Sequence, residues 1–327
     1  MRVMPPYTRE MKINKRISMK KLTLILCVLT LILGVFLVIP HSTETGIDGL
    51  RPTIEDIIST KQATFGIGIY DFQHQDTLLM SPEHSFVLMS VVKFPQAIAL
   101  LKQVDEGNFT YDHPIHFTRR DLLPRMYSPL REERTEASFE LSLVEALSYS
   151  VSKSDNNVCD KLFTLLGSPH VVEQYLQSLG LADIKIGTTY ADIGTIDADM
   201  SVKTIYDNRS TPQDMLELLR MFYDGELLSK ESTDILWQKL IETSTAPNRI
   251  KGLLPEGTIV GHKPGTSGKD KTGKTVAYND IGIIQLPNGN HVAIVIFIAD
   301  SKESDASNAR TIAEISKAIY DYLSMND

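Results

Sequence analysis

Polar and apolar residues change rhythm twice along this chain. From Thr64 to Phe72 it reads TFGIGIYDF, an alternation rich in β-branched and aromatic residues that predicts a strand, and Asp76 to Met80 predicts a second. A helix is expected just before them, from about Thr53 to Lys61. The middle of the chain then turns helical. Ser142 to Glu145 has the spacing of a capping box ahead of Val144 and Leu147. Asn157 to Leu166 continues helical and stops at Gly167, with Pro169 just beyond. Thr211-Pro212 opens a further helix whose face is Met215, Leu218, Leu219 and Phe222. The last third returns to strands: a short one over Thr258–His262, then Ile281–Leu286 and His291–Ile298 flanking the turn Pro-Asn-Gly-Asn. A closing amphipathic helix carries Ile312, Ile315, Ile319 and Leu323. Strands at both ends with helices between them predict an α+β fold. One antiparallel sheet is built from the first and last thirds, a central all-α lobe packs beside it, and a cleft lies at their junction.

The N-terminus follows a different pattern. Residues 22–39 form an uninterrupted apolar stretch of about 18 residues, near the minimum for a membrane-crossing helix. Residues 1–21 before it carry Arg2, Arg9, Lys12, Lys15, Arg16, Lys20 and Lys21 against Glu10, a flank that stays in the cytoplasm. A signal peptide or transmembrane anchor is therefore expected at 22–39, then a linker at 40–50 and a single catalytic domain over 51–327. No small-x-small site stands out between His41 and Gly46, which favours an uncleaved anchor. Leu26 before Cys27 does not fit a lipoprotein signal. The expected location is outside the cytoplasm, either periplasmic or anchored to the outer face of the cytoplasmic membrane.

Composition narrows the class. The 327 residues are 42% apolar and 23% charged, as in ordinary globular proteins, and the net charge of -8 excludes a nucleic-acid partner. The two cysteines, Cys27 and Cys159, lie in such different contexts that no disulfide is expected; Cys159 reads as a small buried apolar residue. The eight histidines are scattered without a zinc-type spacing, so neither a metal nor another cofactor is expected.

The chemistry gathers around Ser90-Val91-Val92-Lys93. If Ser90 opens a helix, residues three apart share a face and the Lys93 amine lies beside the Ser90 hydroxyl. A serine is a poor nucleophile until a base takes its proton, and a desolvated lysine can be that base. Alone, Ser-x-x-Lys arises by chance about once in a chain of this size. Ser18/Lys21 and Ser150/Lys153 match it too. Ser154-Asp155-Asn156, at the end of a predicted helix, adds a second hydroxyl able to pass a proton to a leaving amine, and an amide able to bind substrate and steady Lys93. His262-Lys263-Pro264-Gly265-Thr266 ends a predicted strand. There Gly265 allows a substrate close to the strand edge, Lys263 offers a cation for a substrate carboxylate, and the Thr266 N–H can pair with that of Ser90 as an oxyanion hole.

In this order the three elements resemble the active site of the penicillin-recognising serine enzymes, Ser-x-x-Lys, Ser-Asp-Asn and Lys-Thr-Gly. The resemblance covers the chain after residue 50. Ser-Asp-Asn is similar to the class A β-lactamases. Further details resemble the PER/VEB/CfxA-type extended-spectrum branch: Lys93-Phe94-Pro95, Gln103-Val104-Asp105, Cys159-Asp160, Lys251-Gly252-Leu253-Leu254-Pro255 and Thr266-Ser267-Gly268. Tyr127-Ser128-Pro129 is similar to that branch's aromatic at the cleft rim. The resemblance implies catalytic roles for Ser90, Lys93, Ser154 and Asn156, and substrate binding by Lys263, Gly265, Thr266 and Tyr127. It implies a β-lactam as the small-molecule substrate. The alternative is a penicillin-binding peptidoglycan enzyme or a covalent β-lactam sensor.

The sequence departs from the pattern twice. Pro264 stands where the family has threonine, while Lys271-Thr272-Gly273 sits in a Gly/Lys-rich turn and reads as a decoy. Class A enzymes also use a loop glutamate to activate the water that frees the acyl-enzyme, and no glutamate occurs between Leu181 and Leu216. Counted from Leu179-Gly180 that position falls near Tyr190; counted back from Asn208 it falls near Thr195. Asp192 and Asp197 are the candidate substitutes.

Overall fold

A computed structural model describes residues 46–194 and 203–325 of the protein. The apolar segment at 22–39, Cys27, Thr195 and Asp197 lie outside the described residues. The strands form the sheet expected from the two ends of the chain. We label them β1 (Thr64–Asp71), β2 (Asp76–Met80), β3 (Val260–Thr266), β4 (Thr275–Gln285) and β5 (His291–Ser301), and their order across the sheet is β2-β1-β5-β4-β3. All neighbours run antiparallel, and β1 pairs directly with β5, Thr64 opposite Ala299 and Asp71 opposite Val292.

Alternation along β1 sorts its two faces. Phe65, Ile67 and Ile69 join Ile294, Ile296 and Ile298 of β5 under the helices Arg51–Ser59 and Asp305–Met325, which contribute Ile54, Ile312, Ile315 and Ile319. On the opposite face Gly66 and Gly68 leave room for the elements packed there. A Cβ on Gly66 would come 2.3 Å from the Phe86 ring, and one on Gly68 would come 3.2 Å from Leu216. The Gly66→Ala variant should therefore lose about 1–3 kcal/mol of stability through overpacking, read from the urea midpoint. An unchanged midpoint would show that the Phe86 ring yields freely.

Several boundaries differ from expectation for physical reasons. The first helix starts at Arg51, two residues before Thr53, because Pro52 suits its opening turn. Thr258 bonds back to Pro255 in a turn, so β3 starts only at Val260. It then runs through Pro264, which a strand tolerates here because β3 is a sheet edge. The turn after Leu286 contains Gly289 at φ 89°, a backbone state glycine adopts without strain. The capping box at Ser142 forms with both of its bonds, and Gly167 ends the Asn156–Leu166 helix at φ 102°.

The central lobe packs against the second face of the sheet and is mainly helical rather than all-α: Pro114–Thr118 pairs with Ser138–Ser142, and Asn208–Ser210 pairs with Phe86–Val87 and Lys185–Ile186, in strands too short to carry a clear alternation in the sequence. Its core joins Phe94, Ile98 and Leu101 of the Lys93–Asp105 helix with Leu143, Leu147, Leu162, Phe163 and Leu176. Asn279 of β4 couples sheet to lobe, donating to the carbonyls of Val87 (2.8 Å) and Leu88 (3.3 Å) just before the nucleophile turn.

Candidate active site

Ser90 lies in a tight turn, Met89–Val92, that runs into the Lys93–Asp105 helix. Met89 takes φ 49°, a strained state for a side-chain-bearing residue, and it aims the next residue into the cleft. Lys93 is fully buried. Its Nζ donates to Ser90 Oγ (3.2 Å), Ser154 O (2.8 Å), Ser154 Oγ (3.3 Å) and Asn156 Oδ1 (2.6 Å). None of these acceptors is a carboxylate, so burial dominates and pulls the amine down to about 8.

Asp155 builds the loop that brings Ser154 and Asn156 to Lys93. Its buried carboxylate caps the Asn156–Leu166 helix at Val158 N (2.9 Å) and also accepts from Ser128 Oγ and Leu130 N, both at 2.8 Å. Ser154 is held at φ 59° between these anchors. Its Oγ accepts a second bond, from Lys263 Nζ at 3.0 Å. A hydroxyl has two acceptor sites and one proton, so two donating amines leave the Ser154 proton free for a third partner.

The third element packs behind and beside Ser154. Lys263 is fully buried behind Ser154, also bonding Pro264 O at 3.2 Å, and burial followed by the nearby Lys93 charge lowers its amine well below the usual lysine range. Its amine therefore reaches the Ser154 hydroxyl from behind. Gly265 is required by packing. A Cβ there would come within 2.4 Å of Leu88 O and 3.1 Å of Val91 N, so its absence lets β3 press against the Ser90 turn. A cation that lines the cleft, itself largely buried, is Arg249, which the sequence reading missed. Its guanidinium stacks 3.7 Å from the Tyr278 ring, donates to Gly265 O (3.1 Å) and Asn279 O (2.6 Å), and bonds Thr266 Oγ1.

The cleft is a cavity of about 730 Å³ lined by Ser90, Tyr127, Ser154, Asn156, Arg249 and Thr266 among others. Tyr127 stands half-exposed at its rim, and its carbonyl accepts from Asn156 N at 3.0 Å. The decoys fall away. Lys153 pairs with Glu133 on the surface at 2.8 Å, and Lys271-Thr272-Gly273 is a turn before β4. Cys159 is fully buried, its thiol pushed up to about 12, and therefore inert.

Comparison with known proteins agrees with this arrangement. Residues 49–323 match the model of the Beta-lactamase enzyme family. The chain belongs to that family. It is 37% identical to the β-lactamase VEB-1 of Pseudomonas aeruginosa over 90% of this chain and 97% of that one. It is 36% identical to the extended-spectrum β-lactamase PER-1 of Pseudomonas aeruginosa over 84% of this chain and 87% of that one. The crystal structure of a β-lactamase from Chitinophaga pinensis superposes with a TM-score of 0.80 at 38% identity, covering 84% of this chain and 99% of that one.

The loop facing Ser90 presents a phenol to the nucleophile. Tyr190 reaches in and donates from its phenol to Ser90 Oγ at 3.1 Å, with its ring 4.5 Å from Lys93 Nζ. Burial pushes this phenol well above the usual range. Its backbone N and that of Ala191 both bond Asp160, each at 2.8 Å, and burial pushes the Asp160 carboxyl up to about 6. Asn208 ties the preceding residues by accepting from Gly187 N and Thr188 N. Asp192, a candidate substitute base, is turned away. Its carboxylate accepts from Thr189 Oγ1 (2.7 Å) and Thr189 N in an exposed capping box, because a residue three after a capping threonine is drawn back to the helix end.

Proposed function

We propose that the protein hydrolyses β-lactams through an acyl-enzyme on Ser90. The neutral Lys93 amine takes the Ser90 proton as Oγ bonds to the lactam carbonyl carbon. The lactam C–N bond breaks, and the nitrogen receives the Ser154 proton, which Lys93 then replaces. Water cleaves the resulting ester, returning the proton to Oγ. Arg249 and Thr266 offer a cation and a hydroxyl to a substrate carboxylate, and Tyr127 borders the entrance. The observation that carries this reading is the buried Lys93 amine, hydrogen-bonded to Ser90 and without a carboxylate partner. Likeness to relatives named β-lactamases supports it.

The apolar segment at 22–39 behind its basic flank supports a location outside the cytoplasm, periplasmic or membrane-anchored. The alternative of a peptidoglycan enzyme or covalent β-lactam sensor is favoured by one observation, the phenol where a base for ester release would stand. A fluorescent penicillin tests the common step. Label should attach to the protein and be lost altogether in Ser90→Ala, while hydrolysis of a chromogenic cephalosporin follows turnover. Labelling that survives Ser90→Ala would overturn the assignment of the nucleophile.

A further inference from the structure

We propose that Tyr190 is a plug on the release face of Ser90, so that acylation is fast, ester hydrolysis is slow, and the acyl-enzyme accumulates during turnover. The inference rests on the Ser90 acyl-enzyme described above and concerns only its second half.

Ester release needs a water oxygen to reach the carbonyl carbon while a base takes one of its protons; the C–Oγ bond then breaks and Oγ recovers a proton. Two side chains bond Ser90 Oγ among the described residues, Lys93 and Tyr190. The phenol oxygen sits 3.1 Å from Oγ, in the shell a hydrolytic water would occupy on that side. The ring lies 4.5 Å from Lys93 Nζ and so covers the amine that bonds Ser90. Tyr190 is itself buried, and its phenol holds its proton at any pH at which the protein works, so it cannot substitute for a carboxylate. Nor is the plug loosely held. Asp160 clamps the backbone of Tyr190 and Ala191, and Asn208 clamps Gly187 and Thr188. The obstruction bears on the second step more than the first, because the lactam carbonyl approaches Oγ from the open cleft while the hydrolytic water must enter on the phenol's side.

Wild-type protein mixed with a chromogenic cephalosporin should give a burst of about one equivalent followed by a slow steady state. With benzylpenicillin, intact-mass measurement should show a persistent adduct absent from Ser90→Ala. Tyr190→Gly opens space for a water and should shorten the adduct lifetime at least tenfold, with burst rate falling no more than a few fold. Tyr190→Glu adds a base in the same place and should shorten it further. Tyr190→Phe removes one oxygen, too little room for a water, and keeps the fold, so its adduct lifetime should stay within about threefold of wild type. Turnover without burst or adduct in the wild type would overturn the plug while leaving Ser90 intact as nucleophile. So would a tenfold slower release in Tyr190→Phe, which would make the phenol a proton relay, or lifetimes unchanged in both the Gly and Glu variants. Absence of both adduct and hydrolysis with every β-lactam tried would instead overturn the Ser90 reading on which the plug depends.

Discussion

Replacing Lys93 by alanine should slow acylation of Ser90 about 10³-fold at pH 8, with the protein still folded. Among the described residues the proton of Ser90 has no other acceptor of suitable basicity in contact: Tyr190 retains its own proton, and Asn156 is bonded to Lys93 rather than to Ser90. The amine must be neutral to accept a proton. With its pKa lowered to about 8, the neutral fraction grows with pH, is roughly a tenth at pH 7 and levels off above pH 9. Acylation in the wild type should therefore climb nearly tenfold per unit from pH 5 to 7 and then flatten. Lys93→Arg separates the two contributions of this side chain. It keeps the positive charge beside Asn156 but cannot give up a proton, so it should be as slow as the alanine variant. Acylation by Lys93→Ala within tenfold of wild type, or a wild-type profile flat between pH 5 and 9, would remove Lys93 from the role of base. Stopped-flow acylation with a chromogenic cephalosporin reads both quantities.

The Asp155→Ala variant should lose about 3–5 kcal/mol of stability, the largest loss expected from a single substitution near the cleft. The carboxylate is fully buried and receives three hydrogen bonds, from Ser128 Oγ, Leu130 N and Val158 N. Alanine would leave three buried donors without an acceptor, and the unpaired groups cost more than the bonds themselves are worth. Asparagine can still accept from two of the donors, but it turns its own N–H₂ toward the third and should lose an intermediate amount. Because Asp155 lies between Ser154 and Asn156, the surviving folded fraction should also acylate more slowly. Urea unfolding and the acylation rate check the two parts. A midpoint for Asp155→Ala corresponding to a loss below about 0.5 kcal/mol would show that water replaces the carboxylate.

Much of this architecture was legible before any coordinates, and the reason is locality. Ser90 and Lys93 are three residues apart on one helical turn, and the Ser142 box and the Thr211-Pro212 cap are each complete within four residues. The hairpin of β4 and β5 is announced by its own turn. What stayed hidden depends on where distant segments land. Tyr190 meets Ser90 across 100 residues of chain, and counting residues along the loop placed it near the site without saying where its phenol would point. Lys263 reads in the sequence as a cation offered to a substrate carboxylate, and only the packing of β3 against the lobe shows that it is buried behind Ser154. Arg249 carries no local motif that separates it from any other surface arginine; its role comes from β3 and β4 folding beneath it. Pro264 lowers the local strand signal, and only the position of β3 at the sheet edge makes it harmless.

The pairing of β1 with β5 sets an order of events during synthesis. The first strand finds its long-term neighbour only when the last strand has left the ribosome, with Thr64 waiting for Ala299. Until then the apolar face of Ile67 and Ile69 has only the short β2 beside it and the Arg51–Ser59 helix, with Ile54, over it, and the sheet stays incomplete. Such distant pairing folds slowly. A sheet of this topology therefore closes only after the last strand has been made, because β5 holds both β1 and β4.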